Sequence, residues 1–431
     1  MNYLETVEYL FNSTPVFEKI GAGAYKEGLS NTHLLDEHFG HPHQNFKTIH
    51  IAGTNGKGSC SHTLASILQE QGYRVGLYTS PHLIDFRERI RINGQCISED
   101  YVINFVAEHS NFFEPLHPSF FELTTAMAFK YFADQKVDIA VIEVGLGGRL
   151  DCTNIITPIL SIITNISKDH TQFLGNTLAQ IATEKAGIIK KSTPVVIGES
   201  IPETKTVFEN IAKEKNAPII FSEDNIQFDD YNFPINGGID YITKDYGSIH
   251  SELSGAYQIK NTNTILNAIH ILEDQGLIKN KSAINSGFAK VCKNTGLMGR
   301  WQELQKKPLT ICDTGHNPGG WQYLSTQIKN QKNKVKRIVF GMVDDKDVDT
   351  VMEMLPQEAI YYWTQCSSHR AIPVEKLAKI AKTHHLSGKC YPSVVQAYNS
   401  VLEDADNEDF IFIGGSSYVV ADLLCYLQQK K

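Results

Sequence analysis

The chain has 431 residues, 42% hydrophobic and 20% charged, enough to bury large cores and to fold as two soluble domains. A net charge of −8 and a pI near 6.1 give no global basic field, so nucleic acid is not an expected partner and any anionic ligand must be held by a local constellation. No stretch approaches the roughly 18 apolar residues of a membrane span, and the eight cysteines form no C-x-x-C pair, which fits a cytoplasmic protein without disulfides or zinc.

The first element, "MNYLETVEYLFNS", reads as an amphipathic helix. Glu5, Glu8 and the lack of a basic n-region set it apart from a signal peptide. His33, His38, His41 and His43 follow in what reads as irregular surface, with no Cys or acidic set beside them to suggest a metal site.

"FKTIHIAG" then reads as a buried strand leading into "GTNGKGS". The common phosphate loop is G-x-x-x-x-G-K-[ST], but only two residues separate Gly53 from Gly56-Lys57, and Ser59 comes one place late, after Gly58. The physical case for a phosphate loop is sound all the same. Gly53, Gly56 and Gly58, with Thr54 and Asn55 between them, permit positive φ and let backbone N–H groups face phosphate oxygens at a helix N-terminus, where Lys57 adds a point charge. The plainer alternative is a glycine-rich turn with an incidental lysine. The helix is expected over about 57–71, ending at Gly72.

The runs "RVGLYTS", "VDIAVIEVG", "PILSIITNI" and "TPVVIGE" alternate with helical segments, as buried strands of a parallel sheet do. Ser80, Glu143, Asp169 and His170 each follow such a strand, at the carboxyl edge where α/β sites lie. Glu143 could instead cap a turn, and His170 could be a structural histidine. Residues 224–256, rich in Asn, Asp, Gly and Tyr, read as an antiparallel sub-sheet. After "NTGLMGRW" a second series begins with "LTICDTG", "KRIVFGMV", "AIYYWTQ" and "DFIFIGG". The expected division is therefore a domain over 1–296 with a mostly parallel sheet and a small antiparallel sub-sheet, and a Rossmann-like α/β domain over 297–431.

In chain order, "AGTNGKGS", "TSPHLIDFRERIRING", "FFELTTAMAF", "EVGLGGRLDCTN", "TNISKDHTQFLG", "IATEKAGIIK", "MGRWQEL", "DTGHNP" and "DDKD" closely resemble the folylpolyglutamate synthase and dihydrofolate synthase family, a branch of the Mur-type amide ligases. That superfamily spells its phosphate loop with Gly58 before Ser59. The resemblance implies a P-loop ATPase domain followed by a glutamate ligase domain. It also implies a reaction: ATP phosphorylates the carboxylate of a folate or dihydropteroate, and L-glutamate's amine displaces phosphate from the acyl phosphate. A monomer working on small molecules is expected.

The same resemblance implies Gly53 through Ser59, Asn261, Arg300 and Asp313 as ATP contacts, and Ser59, Ser80, Glu143 and His170 as magnesium ligands. Lys57, His170 and Lys185 are then the catalytic set. The family counterpart of Lys185 carries a carbamate; read without the resemblance, Lys185 forms an ion pair with acids such as Glu184. Phe121 would stack on the pterin and Asp151 would bind its amino-pyrimidine edge, though a core phenylalanine and a turn aspartate are equally good readings. His316, Ser416 and Ser417 fall to glutamate. A cell-wall UDP-sugar peptide ligase is an alternative, less suited to the short stretch ahead of Gly53. A P-loop kinase or GTPase is another, weakened by the loop spacing and the absence of an N-K-x-D motif.

Overall fold

In the computed structural model, which describes residues 1–13, 28–344 and 346–430, the apolar runs of the first half form one eight-stranded sheet. Its strands are β1 (Lys47–Ala52), β2 (Val75–Tyr78), β3 (Ile90–Ile92), β4 (Gln95–Cys96), β5 (Ile139–Glu143), β6 (Leu160–Ile163), β7 (Val195–Ile197) and β8 (Ile219–Phe221). The order is β4-β3-β2-β5-β1-β6-β7-β8. The six strands from β2 to β8 run parallel, and β3 and β4 add an antiparallel edge.

Both faces are covered, which is why these strands read as continuous apolar runs rather than alternating ones. On one face, Ile49 and Ile51 of β1, Val75 and Leu77 of β2 and Ile139 and Val141 of β5 pack with Leu64, Ile67 and Leu68 of the helix Lys57–Glu70 and with Ile265 and Ile269 of the helix Gln258–Asp274. On the other face, Tyr78, Ala140 and Ile142 meet Phe105, Leu123, Met127 and Phe129 from the helices Glu99–Phe113 and Phe120–Asp134. Each such leucine or phenylalanine, fully buried, contributes roughly 1.5–3 kcal/mol. The first helix spans Tyr3–Ser13, and its Phe11 stacks on Phe120 with ring centroids 4.6 Å apart.

β1 is central because successive connections leave it in opposite directions: β2 and β5 lie to one side of it and β6 to the other. Such a reversal opens a crevice at the strands' carboxyl ends, the usual ligand position in an open α/β sheet. The register sets the heights there, with Ile51 beside Glu143 and Ala52 beside Ile163.

The expected sub-sheet is a separate antiparallel sheet, β9 (Phe228–Asn232), β10 (Ile239–Thr243) and β11 (Gly247–Ser251), in the order β11-β10-β9. Ile249 and the neighbouring Tyr246 join the core beneath β1. The second sheet comprises β12 (Gln302–Lys306), β13 (Leu309–Asp313), β14 (Lys336–Phe340), β15 (Ile360–Thr364), β16 (Gly388–Tyr391) and β17 (Phe410–Gly414). Its order is β12-β13-β17-β14-β15-β16, parallel apart from β12. Its core is aromatic, with Trp321, Phe340, Trp363 and Phe412 almost fully buried.

The chain divides into two compact units, Met1–Leu253 with Gln258–Leu297, and Ser254–Tyr257 with Met298–Lys431. The short return of 254–257 to the second unit has a local cause: the Ala256 N–H donates to Gln327 Oε1 at 2.8 Å and the Tyr257 hydroxyl to Asp313 Oδ2 at 2.6 Å. Asp345, within the "DDKD" stretch, lies outside the described residues. No helix among the described residues is long and apolar enough to cross a membrane.

Candidate functional site

At the end of β1 the backbone turns through Gly53, φ +146°, and Gly56, φ +85°, before the helix Lys57–Glu70 begins. A Cβ at Gly53 would collide with Thr164 Oγ1, and one at Gly56 with Asn261 Oδ1, so both close approach and backbone conformation require glycine at these two positions. The chain leaving β6 fastens the loop. The Thr54 N–H donates to the Asn165 carbonyl at 3.0 Å and the Asn55 N–H to Asn165 Oδ1 at 2.9 Å, while Thr164 Oγ1 donates to the Asn55 carbonyl at 2.5 Å and the Ser167 N–H to Thr54 Oγ1 at 3.0 Å.

Lys57 curls back over this loop, its Nζ donating to the carbonyls of Gly53 at 3.1 Å and Thr54 at 3.2 Å. A cation at the first position of a helix sits at the positive end of the macrodipole. Lysine is suited to that place when an anion shares it, and the helix N–H groups are arranged to receive one. Gly58 follows Lys57 in the first turn. Ser59 is buried there and accepts a hydrogen bond from Gln258 Nε2 at 3.1 Å. Gln258 Oε1 in turn accepts from Asn261 Nδ2 at 2.8 Å, so Asn261 stands beside Gly56 as part of a polar layer under the loop.

Glu143, the last residue of β5, is 3% exposed, and its Oε2 lies 3.4 Å from the Ser80 N–H beyond β2. The structure thus brings Glu143 and Ser80 together at the carboxyl edge. His170 is left-handed, φ +49°, at the start of the short helix Thr171–Leu174. Its N–H donates to Asp169 Oδ1 at 2.9 Å, and its Nε2 is 3.9 Å from the same oxygen. The Ser80 hydroxyl and the buried Glu143 carboxylate are oxygen donors of the kind that suits a divalent cation which keeps part of its water shell; the contacts of Ser59 and His170 described above are with Gln258 and Asp169 rather than with this pair.

Lys185, in the helix Leu178–Ala186, is 4% exposed and donates from Nζ to the Gly53 carbonyl at 2.8 Å. Burial, reinforced by the nearby Lys57 charge, lowers its pKa from 10.5 to about 7. The ion pair with Glu184 that the sequence offered as an alternative is not formed. Neighbours in a helix point about 100° apart, and Glu184 instead pairs with Arg149 at 2.8 Å.

Phe121 and Asp151 converge on Gly145. A Cβ placed there would stand 2.6 Å from Phe121 Cε1 and 3.2 Å from Asp151 Oδ2. Asp151 is 7% exposed and accepts from the Leu146 N–H at 2.9 Å, the Thr153 N–H at 3.0 Å and the Thr153 hydroxyl at 2.5 Å. Burial raises its pKa above the ordinary value, against the opposing pull of those hydrogen bonds. The Arg89 guanidinium, fully buried, lies 5.5 Å from the Phe121 ring centroid and 5.0 Å from that of Phe120.

In the second unit, Arg300 Nη1 donates to the Gly299 carbonyl at 3.3 Å and to Thr314 Oγ1. Asp313, at the end of β13, is buried and accepts from Tyr257, from the Trp301 N–H at 2.7 Å and from the Gly315 N–H at 2.8 Å. Burial raises its pKa. The His316 ring donates from Nδ1 to the Thr314 carbonyl at 3.1 Å. Ser416 caps the helix Ser417–Gln429 by accepting from the Tyr418 N–H at 3.0 Å, and Ser417 opens that helix.

Several residues that build this site sit inside family-like segments whose spelling assigns them no role. Thr164, Asn165 and Ser167 hold the loop; they open "TNISKDHTQFLG", a polar run directly after a buried strand. Gly145 lies in "EVGLGGRLDCTN" without a role of its own, and Gln258 opens the helix that carries Asn261. Arg89 lies in "FRERIR", where nothing local distinguishes it from Arg87 and Arg91.

The chain matches the family model described as the Mur ligase middle domain over residues 51–269 and that described as the Mur ligase glutamate ligase domain over residues 299–417. It is 33% identical over 412 residues to the dihydrofolate synthase/folylpolyglutamate synthase of Bacillus subtilis, a match spanning 92% of this chain and 94% of that protein. The structure of Escherichia coli FolC in complex with DHPP and ADP is similar with a TM-score of 0.86 at 30% identity, covering 100% of this chain and 98% of that one. A bifunctional folylpolyglutamate synthase/dihydrofolate synthase solved with Mn, AMPPNP and L-glutamate bound gives a TM-score of 0.82 at 29% identity, covering 99% and 98%.

Proposed function

The chain belongs to the folylpolyglutamate synthase and dihydrofolate synthase family of Mur ligases, and from that premise we propose how its own residues perform the family's reaction. It is an ATP-dependent ligase that joins glutamate to a folate-type carboxylate. The observation that carries the assignment of roles is the juxtaposition at the end of β1: a glycine-formed loop under Lys57, with Lys185 against the Gly53 carbonyl and Glu143 in register beside Ile51.

An oxygen of the acceptor carboxylate attacks the γ-phosphorus of ATP, giving an acyl phosphate and ADP. The glutamate amine nitrogen then attacks the acyl carbon, phosphate leaves, and the nitrogen loses a proton as the amide forms. Both steps gather negative charge at one place. The loop N–H groups from Gly53 to Ser59 and the Lys57 ammonium bind and orient the triphosphate, stabilising the charge that moves during phosphoryl transfer. Asn261, Arg300 and Asp313 complete the nucleotide contacts, and His316, Ser416 and Ser417 serve glutamate. Ser59, Ser80, Glu143 and His170 would hold magnesium, which supplies charge neutralisation at the phosphates when bound.

Lys185 carries a carbamate in the working enzyme: its neutral amine adds to carbon dioxide and loses a proton, converting a cation into an anion. The amine is available because burial brings its pKa to about 7. Phe121 stacks on the pterin and Asp151 accepts from its amino-pyrimidine edge. The enzyme acts in the cytoplasm as a monomer, and its net charge of −8 supports small-molecule substrates rather than nucleic acid.

Dihydropteroate, tetrahydrofolate or both serve as acceptor, since each presents a carboxylate to the same machinery. Incubating the protein with ATP, L-glutamate and each acceptor in parallel, and weighing the products, decides between them. A mass increase of one glutamyl residue is expected with at least one acceptor. No increase with either overturns the assignment.

A further inference from the structure

β1 ends in the phosphate loop, but one of its side chains points away from that loop's helix. His50 is fully buried on the opposite face of the strand, and its Nε2 lies 2.8 Å from Thr153 Oγ1. Thr153 Oγ1 is in turn 2.5 Å from Asp151 Oδ1. We infer that His50 is a positioning residue for the folate-type substrate, acting through Thr153 to fix the Asp151 carboxylate beside Phe121. This rests on the reading that Asp151 holds the substrate's amino-pyrimidine edge.

The direction of the chain of hydrogen bonds follows from its geometry. Two oxygens 2.5 Å apart repel unless a proton lies between them, so the Thr153 hydroxyl donates to Asp151. Its oxygen then accepts from His50, which must carry its proton on Nε2. The other tautomer would turn the Thr153 hydroxyl towards His50 and leave Oγ1 and Oδ1 facing each other without a proton. It would also bury an Nδ1–H that has no hydrogen-bond partner among the described residues. Burial keeps the imidazole neutral, lowering its pKa to about 3, so the ring remains a one-proton donor throughout the working pH range.

The consequence falls on Asp151. With Oδ1 bound by the N–H and hydroxyl of Thr153, the carboxylate cannot rotate, and Oδ2 is held where Gly145 brings it near the Phe121 ring. Oδ1 is filled by Thr153, so an amino-pyrimidine N–H is left to Oδ2, which also accepts from the Leu146 N–H and must keep one orientation. His50 and Thr153 supply that constraint from behind, without touching the substrate.

The test uses the full-length protein and steady-state KM values for ATP and for the acceptor it glutamylates. His50→Gln keeps an N–H near the Nε2 position, while His50→Leu removes it. Thr153→Ser keeps the hydroxyl, while Thr153→Val removes it. Loss of the Thr153 hydrogen bond to the Asp151 carboxylate corresponds to about a tenfold rise in acceptor KM for Thr153→Val, and loss of the neutral His50–Thr153 bond to about a fivefold rise for His50→Leu, with ATP KM unchanged in both. His50→Gln and Thr153→Ser should remain within about twofold of the parent by the same scale. The double exchange His50→Leu with Thr153→Val should be no worse than Thr153→Val alone, because one chain of bonds is being cut twice.

If His50→Leu does not fold, the comparison of His50→Gln with His50→Asn, whose shorter amide cannot reach Thr153, takes its place with the same expected split. Asp151→Asn separates the two ways of failing. An acceptor KM raised by Asp151→Asn but unmoved by the His50 and Thr153 exchanges overturns the inference alone. An acceptor KM unmoved by Asp151→Asn removes the reading beneath it, and the inference with it. Equal rises in ATP and acceptor KM for His50→Leu, without rescue by His50→Gln, would mean a packing role only.

Discussion

Lys185 Nζ donates a hydrogen bond of 2.8 Å to the carbonyl oxygen of Gly53, the first residue of the phosphate loop. A buried amine with a pKa near 7 is half neutral at physiological pH, which is the condition for carbamate formation. Lys185→Ala should therefore lose most activity and regain part of it when a short carboxylate such as acetate or formate is added, since the small anion can occupy the vacated volume and restore the missing charge. Ligation rates measured across a carboxylate titration check this. Full activity of Lys185→Ala without additive contradicts the carbamate.

A second expectation concerns acid stability. The His50 pKa is about 3 in the folded chain against 6.5 for a free imidazole, so below pH 6.5 the unfolded state binds a proton that the folded state does not. Stability present above pH 6.5 is lost as pH falls towards 3, at about 1.4 kcal/mol per pH unit. Denaturant unfolding of the parent and of His50→Leu, followed from pH 7 to pH 4.5, should give curves that converge as the pH falls. Parallel curves would mean that His50 takes up its proton as readily in the folded protein as in the unfolded one.

Gly56→Ala tests the loop. Its φ of +85° and the collision of a Cβ with Asn261 Oδ1 make alanine strained at this position. A cost of at least about 1 kcal/mol in stability is expected, together with a raised KM for ATP. Companion Asn261→Ala relieves the collision but leaves the backbone strain and removes the hydrogen bond to Gln258 Oε1, so the double exchange should stay below the parent's stability. No change in either quantity for Gly56→Ala would contradict the tightly packed loop.

Much of this was legible because the fold's central feature is also its plainest sequence pattern. A doubly covered parallel strand must be apolar throughout, so β1, β2, β5, β6 and β7 stood out, and Glu143 and Ser80 could be placed at the sheet edge by counting from them. The edges were harder. β12 and β16 are short and partly exposed, with polar residues such as Gln302, Glu303 and Lys389 that suit solvent as well as a strand. β4 has two residues, but Asn93-Gly94 ahead of it was a readable hairpin signal; both take positive φ, 45° and 77°. The polar chain from His50 through Thr153 to Asp151 was hidden for a different reason. It joins residues 103 apart in sequence, and nothing local shows that a histidine inside a strand faces a turn formed so much later.

Lys57→Ala and Glu143→Ala should each abolish amide formation while the protein still unfolds cooperatively. Lys57 lies over the glycine loop proposed to receive the triphosphate, and Glu143 is a buried carboxylate beside Ser80 at the same sheet edge. Removal of charge stabilisation at a transferring phosphoryl group costs at least about 3 kcal/mol in the transition state, a hundredfold or more in rate. Single-turnover assays with thermal melts as control check it. Near-parental turnover in either variant removes that residue from the nucleotide site.

The most direct measurement follows one oxygen atom. If the acceptor carboxylate attacks ATP and phosphate later departs from the acyl carbon, an acceptor labelled with oxygen-18 in that carboxylate must deliver one labelled oxygen to inorganic phosphate for each amide bond formed. With L-glutamate present, the phosphate released should carry one label per glutamyl product, with ADP formed in equal amount. Unlabelled phosphate, or ADP release that proceeds without acceptor and glutamate, would contradict ligation through an acyl phosphate at this site.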